Sequence, residues 1–145
     1  MPVTVKKITL WRSEVANRPG TLASALGPLA QAGADLKVVM GYRFPGDETR
    51  GAVELYPISG RRAQDAARSA GLSDSGIPTL LVDGEDRPGT GAAIARAIAE
   101  AGVNLAFFVA QVVGRRYAAV IGFDSEADAR KAAPLIRRAK PAAKR

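Results

Sequence analysis

Two short segments hold the residue types best placed to do chemistry. Asn17-Arg18-Pro19-Gly20-Thr21 recurs 69 residues later as Asp86-Arg87-Pro88-Gly89-Thr90, and each copy opens an alanine-rich helical pattern. At a helix start, the backbone N–H groups of Gly20, Thr21 and Leu22, or of Gly89, Thr90 and Gly91, lack intrahelical partners and carry positive partial charge. Such donors can receive an anion such as a carboxylate, and glycine lets it approach the backbone closely. An oxygen-bearing side chain, Asn17 or Asp86, stands beside each turn, and another, Asp35 or Asn104, heads the strand that follows. Acceptors beside open donors suit a zwitterion whose ammonium and carboxylate are one carbon apart, which describes a free amino acid. The same residues also have a purely structural use. Asn or Asp two positions before Pro-Gly is a common turn and N-cap choice, worth about 1 kcal/mol.

Composition removes most other chemistries. The chain has no cysteine and no histidine, so disulfides, thiolate metal sites and thiol nucleophiles are excluded, and the usual neutral-pH acid/base group is missing. No phosphate loop or metal cluster accompanies the carboxylates, so no cofactor, no metal and no catalytic residue is expected. The net charge of +7 is concentrated at one end: Arg137, Arg138, Lys140, Lys144 and Arg145 supply five of the seven, leaving +2 for residues 1–136. The basic end therefore reads as a solvated tail rather than a nucleic-acid arm. Met1 to Lys7 lacks the apolar stretch of a secretory signal, and the longest apolar run, Leu105 to Ala110, is too short to span a bilayer. A soluble, cytoplasmic protein is expected.

The elements that must position these turns repeat as well. Val5 to Ser13 alternates with a period of two and predicts a first strand. Leu22, Leu26 and Leu29 share one face of the helix that follows, Pro19 is suited to its first position, and Gly33 closes it. Leu36 to Tyr42 and Ala52 to Tyr56 read as strands about a Pro45-Gly46-Asp47 turn, and Arg61 to Ala70 as a second helix. The second copy predicts a strand at Ile77 to Val82, a helix at Pro88 to Ala101 and strands at Leu105 to Val113 and Tyr117 to Phe123. Its hairpin is three residues shorter, and Asp124 or Ser125 caps a last helix through Ala139. The order βαββα, twice, with helices on one face of each antiparallel sheet, is an α+β arrangement. A fourth strand is short or missing in each copy. The expected organisation is a first module at 1–70, a linker at 71–76, a second module at 77–139 and a basic tail at 140–145. Modules of this size are marginal alone and should pack on each other or on a second chain.

The two copies, ITLWRSEVANRPGTLASALGPLAQAGADL and IPTLLVDGEDRPGTGAAIARAIAEAGVNL, resemble the ACT domain family, and more closely its small stand-alone tandem proteins. The likeness runs from about residue 6 to 139. It implies a ferredoxin-like βαββαβ fold and a regulatory, non-enzymatic protein that binds an amino acid or related metabolite where modules pair. It also implies a homodimer or higher homo-oligomer that acts on a partner enzyme or regulator. Carried over by position, Asn17 and Asp86 match the turn residue that contacts ligand, and Asp35 and Asn104 the contact residue of the following strand. With Gly20, Thr21, Gly89 and Thr90 these form the expected ligand-binding set. If turn and strand residue come from different modules, Asn17 would face Asn104 and Asp86 would face Asp35, an unequal pair of sites. Val38, Met40, Phe107 and Val109, or their neighbours, would then line the side-chain pocket. The chain departs from the family in its trimmed fourth strands, in Gly91 where leucine is usual, and in having no histidine by either turn.

Two other readings compete. Tandem RNA-recognition modules share this layout, and Arg115-Arg116-Tyr117-Ala118-Ala119-Val120 faintly matches their third-strand motif, with Arg116 replacing its glycine and Ala119 its second aromatic. A structural or oligomerisation module that binds nothing small is the other. Trp11, the sole tryptophan, would serve it as an interface anchor or simply pack in a core.

Overall fold

The computed structural model describes residues 3–141. Of the expected basic tail, Lys140 and Pro141 are described, while 142–145, like Met1 and Pro2, lie outside the described residues. The chain divides into two units, one of residues 9–76 and one made of 1–8 together with 77–145.

The unit of 9–76 contains β2 (Trp11–Ala16), α1 (Thr21–Gln31), β3 (Val38–Phe44), β4 (Asp47–Tyr56), α2 (Arg61–Ser69) and the two-residue β5 (Ser73–Asp74). Its antiparallel sheet runs β3-β4-β2-β5. Val53 and Leu55 point from β4 to the helices and meet Ala25 and Leu29 of α1 and Ala63 and Ala67 of α2. Of the three leucines expected to face the core, Leu29 is fully buried, Leu26 partly, and Leu22 is exposed. Leu22 sits in the first turn of the helix, beyond the end of the core, where it reaches over Gly41 instead. Trp11 packs against this core with the Arg68 guanidinium 5.6 Å from its ring centre, so core packing is the role it takes.

The second unit contains β1 (Thr4–Ile8), β6 (Thr79–Glu85), α3 (Thr90–Glu100), β7 (Leu105–Val113), β8 (Arg116–Phe123) and α4 (Glu126–Arg138). Its sheet runs β1-β6-β8-β7, all antiparallel. Leu80, Val82, Ile121 and Phe123 pack under Ile94, Ile98 and Ile136. Ser125, not Asp124, caps α4, its hydroxyl accepting from the Asp128 N–H at 3.1 Å.

The single strand expected over Val5 to Ser13 is two strands with different partners. β1 pairs with β6, while β2 pairs with β4 and β5. The start of the chain therefore belongs to the unit that resumes at residue 77, whereas the expected first module ran from 1 to 70. The physical reason is that β6 would otherwise be an edge with an open row of N–H and C=O groups and a half-covered core. Among the described residues no strand follows α4 to cover it, and β1 occupies that place, with Val3 and Ile8 buried. In the other unit the fourth strand is present but only two residues long, pairing Ser73 with Arg12 and Asp74 with Trp11. The architecture is thus two antiparallel four-stranded sheets with four helices, the α+β, tandem ferredoxin-like fold expected.

Candidate functional site

Each Pro-Gly segment forms a closed turn ahead of its helix. Gly20 and Gly89 both have φ +88°, with ψ −9° and 1°. These angles belong to the third residue of a type II turn, where a side chain would be strained. The Thr21 N–H donates to the Arg18 carbonyl at 3.3 Å, and the Thr90 N–H to the Arg87 carbonyl at 3.1 Å. Pro19 and Pro88 thus sit in the turn rather than at the first helical position, and one of the three N–H donors expected to be open at each turn is spent. The Thr21 hydroxyl donates to the Ala16 carbonyl at 3.0 Å, and the Thr90 hydroxyl to the Arg87 carbonyl at 2.8 Å.

The flanking polar residues divide into tethers and free groups. The Asn17 N–H donates to the Thr49 carbonyl and its side-chain amide to the Glu48 carbonyl at 2.7 Å. This ties the turn to the β3–β4 hairpin and leaves the amide oxygen as an acceptor. The Asp86 N–H donates to the Arg115 carbonyl at 2.7 Å, the matching tether, and its exposed carboxylate has no partner among the described residues. Asp35 accepts from Lys37 at 2.7 Å in an exposed ion pair worth little to stability. Asn104 is exposed. Within each unit the turn residue and the strand residue lie at opposite ends of one helix. Eleven residues of α1 or α3 separate them by about 16 Å at 1.5 Å per residue. A small ligand cannot bridge Asn17 to Asp35, or Asp86 to Asn104.

Beside the first turn lies a cleft of about 260 Å³, bounded by Val15 and Asn17 of β2 and the turn, Thr21 and Leu22 of α1, and Gly41 and Gly51 of the strands below. Arg18 and Arg43 also line it, and no acidic side chain does. Its floor is open because two glycines form it. At Gly51 the glycine is obligatory: a β-carbon there would run into the Tyr42 carbonyl and lie 3.2 and 3.3 Å from further backbone atoms of Tyr42 and Arg43. Asp35 lies in a different depression, with Gly33, Lys37 and Arg62. Met40 pairs with Glu54, Val109 with Val120, and Phe107 covers Gly122, all on the sheet faces turned away from the helices, whereas Gly41, the neighbour of Met40, lines the cleft.

In the second unit the corresponding space is filled. Gly51 pairs with Val15 and Arg43, and Tyr117 pairs with Gly84 and Val112. The two residues therefore hold the same register position. Tyr117 is 5% exposed, its hydroxyl has no hydrogen-bond partner among the described residues, and burial pushes its phenol above the ordinary tyrosine range. A β-carbon on Gly91 would stand 3.5 Å from that hydroxyl, so the missing leucine of the second copy is the room the tyrosine uses. Sequence reasoning passed over Gly41, Gly51 and Tyr117. The signal was the three-residue difference in hairpin length, which sets Gly51 against Tyr117. Tyr117 faces the helices, so it offers no stacking platform to a nucleic acid.

Among the described residues there is no helix long and apolar enough to cross a membrane, and no group of three or more His, Cys, Asp or Glu side chains that could hold a metal ion.

Two four-stranded antiparallel sheets, each carrying two helices and a Pro-Gly turn at the start of the first helix, define the class as tandem ferredoxin-like modules. The regulatory subunit of aspartate kinase from Thermus thermophilus, in its ligand-free form, shares the fold, with TM-score 0.66, 17% identity and coverage of 96% of this chain and 97% of that one. Protein BT0572 from Bacteroides thetaiotaomicron does so with TM-score 0.72, 12% identity and coverage of 92% and 98%. The aspartate kinase regulatory subunit from Thermus flavus follows with TM-score 0.60, 16% identity and coverage of 94% and 95%. At these identities the likeness is one of fold. No protein family model and no curated protein matches the sequence.

Proposed function

We propose that this chain is a non-catalytic regulatory protein that binds an amino acid or a related small carboxylate at its Pro-Gly turns and signals that state to a partner enzyme or regulator. The observation that carries this reading is the cleft at the first turn, whose lining has two arginines and no acid. Its size suits a metabolite rather than a macromolecule. The candidate contacts are Asn17, Gly20 and Thr21 at the first turn, Asp86, Gly89 and Thr90 at the second, and Asp35 and Asn104 at the heads of the following strands. Similarity in fold to subunits described as regulatory supports the non-catalytic role. A thermal-shift screen against the twenty amino acids tests it, because a ligand that binds only the folded form raises the melting temperature. The rise is about 2.7 kcal/mol in stability at a hundredfold excess over Kd. Asn17→Ala should then abolish the response. A melting temperature indifferent to all twenty rejects amino-acid binding.

The oligomerisation role rests on a separate observation. β7 is an outer strand of nine uncharged residues, LAFFVAQVV, with Leu105, Val109, Val112 and Val113 all exposed. An unprotected apolar edge of this length is a template for pairing with another chain. Val113→Lys is expected to weaken self-association, read as a lower sedimentation coefficient. If wild type and variant sediment identically as monomers, the strand pairs with nothing of its own kind.

A further inference from the structure

We propose that Tyr117 is a built-in occupant of the second module's turn cleft, so that the chain takes ligand only at its first turn. This rests on the reading above and specifies which of the two copies performs it. The argument starts from the repeat. At one register position the first module has Gly51 and the second has Tyr117, and at the facing helical position the first has Leu22 and the second Gly91. The exchange is reciprocal. A large side chain on the helix and none on the sheet leave the first cleft open, whereas none on the helix and a tyrosine on the sheet close the second.

Three further observations agree. Thr90 is 6% exposed, while Thr21 at the equivalent position is partly open. The outer side of the second turn is also covered, with a β-carbon on Gly89 standing 3.5 Å from Pro141, just beyond α4. The equivalent β-carbon on Gly20 would meet nothing within 4 Å. Finally, the Tyr117 hydroxyl is buried against the start of α3 without a partner among the described residues, a cost that a pure packing role would have avoided with phenylalanine. It places a polar group in the second turn where the first leaves space for a ligand's own.

The chemistry of the open cleft narrows the ligand. Arg18 and Arg43 favour a carboxylate, and Val15, Leu22 and Val53 provide apolar walls over a glycine floor. A short apolar side chain matches these walls. The expected class is a small carboxylic acid with a compact aliphatic group.

The test has a binding arm and a ligand-free arm. In the first, L-valine and L-alanine are titrated into the ¹⁵N-labelled chain, with L-lysine and L-aspartate as controls. Amide shifts are expected at Gly20, Leu22, Gly41 and Gly51 and not at Gly89 to Ala92, with one molecule bound per chain by calorimetry. Two equal sites per chain, or shifts at Gly89 to Ala92, would overturn the proposal. Silence towards all four compounds counts against the amino-acid reading and leaves the second arm to decide the role of Tyr117. That arm uses the absence of cysteine from the chain. Leu22→Cys and Gly91→Cys place single thiols at equivalent positions, and the Gly91→Cys thiol should react with a maleimide about tenfold more slowly, because thiol reactivity follows exposure. Adding Tyr117→Ala should restore the rate. Equal rates for the two single variants would show that the tyrosine fills nothing, whether or not Tyr117→Ala folds.

Discussion

A chain that begins at Thr9 is expected to lose the folded structure of 77–141 while retaining that of 9–76. Removing residues 1–8 strips β1 from β6, exposes one edge of Leu80 and Val82, and uncovers the positions of Val3, Val5 and Ile8. At about 1.5–3 kcal/mol for each fully buried aliphatic side chain, the loss is roughly 5 kcal/mol, before the five lost pairings with β6 are considered. That is comparable with the whole stability of a small domain, about 5–15 kcal/mol. The two units carry separate reporters. Trp11 fluorescence follows the unit of 9–76, and far-UV circular dichroism follows both. Truncation should leave the fluorescence transition in urea nearly unchanged and remove much of the dichroism transition. A synthetic peptide of residues 1–8 should restore it by adding a strand to the open edge. Coincident, unshifted transitions in the truncated chain would mean that β1 contributes nothing to β6.

Gly51→Ala is expected to be the most damaging single methyl in the unit of 9–76. The added carbon meets the Tyr42 carbonyl and lies 3.2 and 3.3 Å from other main-chain atoms of Tyr42 and Arg43, so no side-chain rotation relieves it. β4 is central, paired on both sides, and the β3–β4 register already shifts between Arg43 and Phe44. A sheet held from both sides cannot move away, and a cost of about 3 kcal/mol follows from overpacking of this kind. For a unit of this size that corresponds to a fall in Tm of roughly 12–24 °C, read by Trp11 fluorescence. Gly122→Ala in the other unit is the control. Its methyl meets the Phe107 ring, which is half-exposed and free to swing outward, so its cost should be distinctly smaller. A Gly51→Ala variant as stable as wild type would mean that the strands separate there at no cost, and that the cleft floor is not fixed by the backbone.

Both expectations concern features that pattern reading handles unequally. β7 was legible to the residue, because LAFFVAQVV is bounded by Gly102 and Asn104 on one side and a Gly-Arg turn on the other. β4 begins five residues before its alternating part, since the hairpin carries pairing down through Arg50 and Asp47, where side chains are polar on both faces. The split at Thr9 was not legible. Ile8 and Leu10 are both buried and keep a single alternation, yet each belongs to a different unit, and periodicity records which way a residue faces but not which strand it pairs with.

The turns show the same division. Asn-Arg-Pro-Gly and Asp-Arg-Pro-Gly announced a tight bend before a helix, and glycine at φ +88° bears that out. What a bend does with its donors depends on distant residues. Glu48 engages Asn17, Gly51 leaves a floor open, and Tyr117 closes the matching space in the other copy.

The sequence by itself determined the repeat, the alternation of strand and helix, the position of both bends and the absence of thiol and imidazole chemistry, because each is set by local residue type and spacing. Packing across the chain, by contrast, made the N-terminal strand complete the sheet of 77–145 and gave two near-identical bends one open cleft and one filled space. Those outcomes depend on which backbone edges need partners and on the volumes of side chains brought together from tens of residues apart, quantities that no local pattern contains.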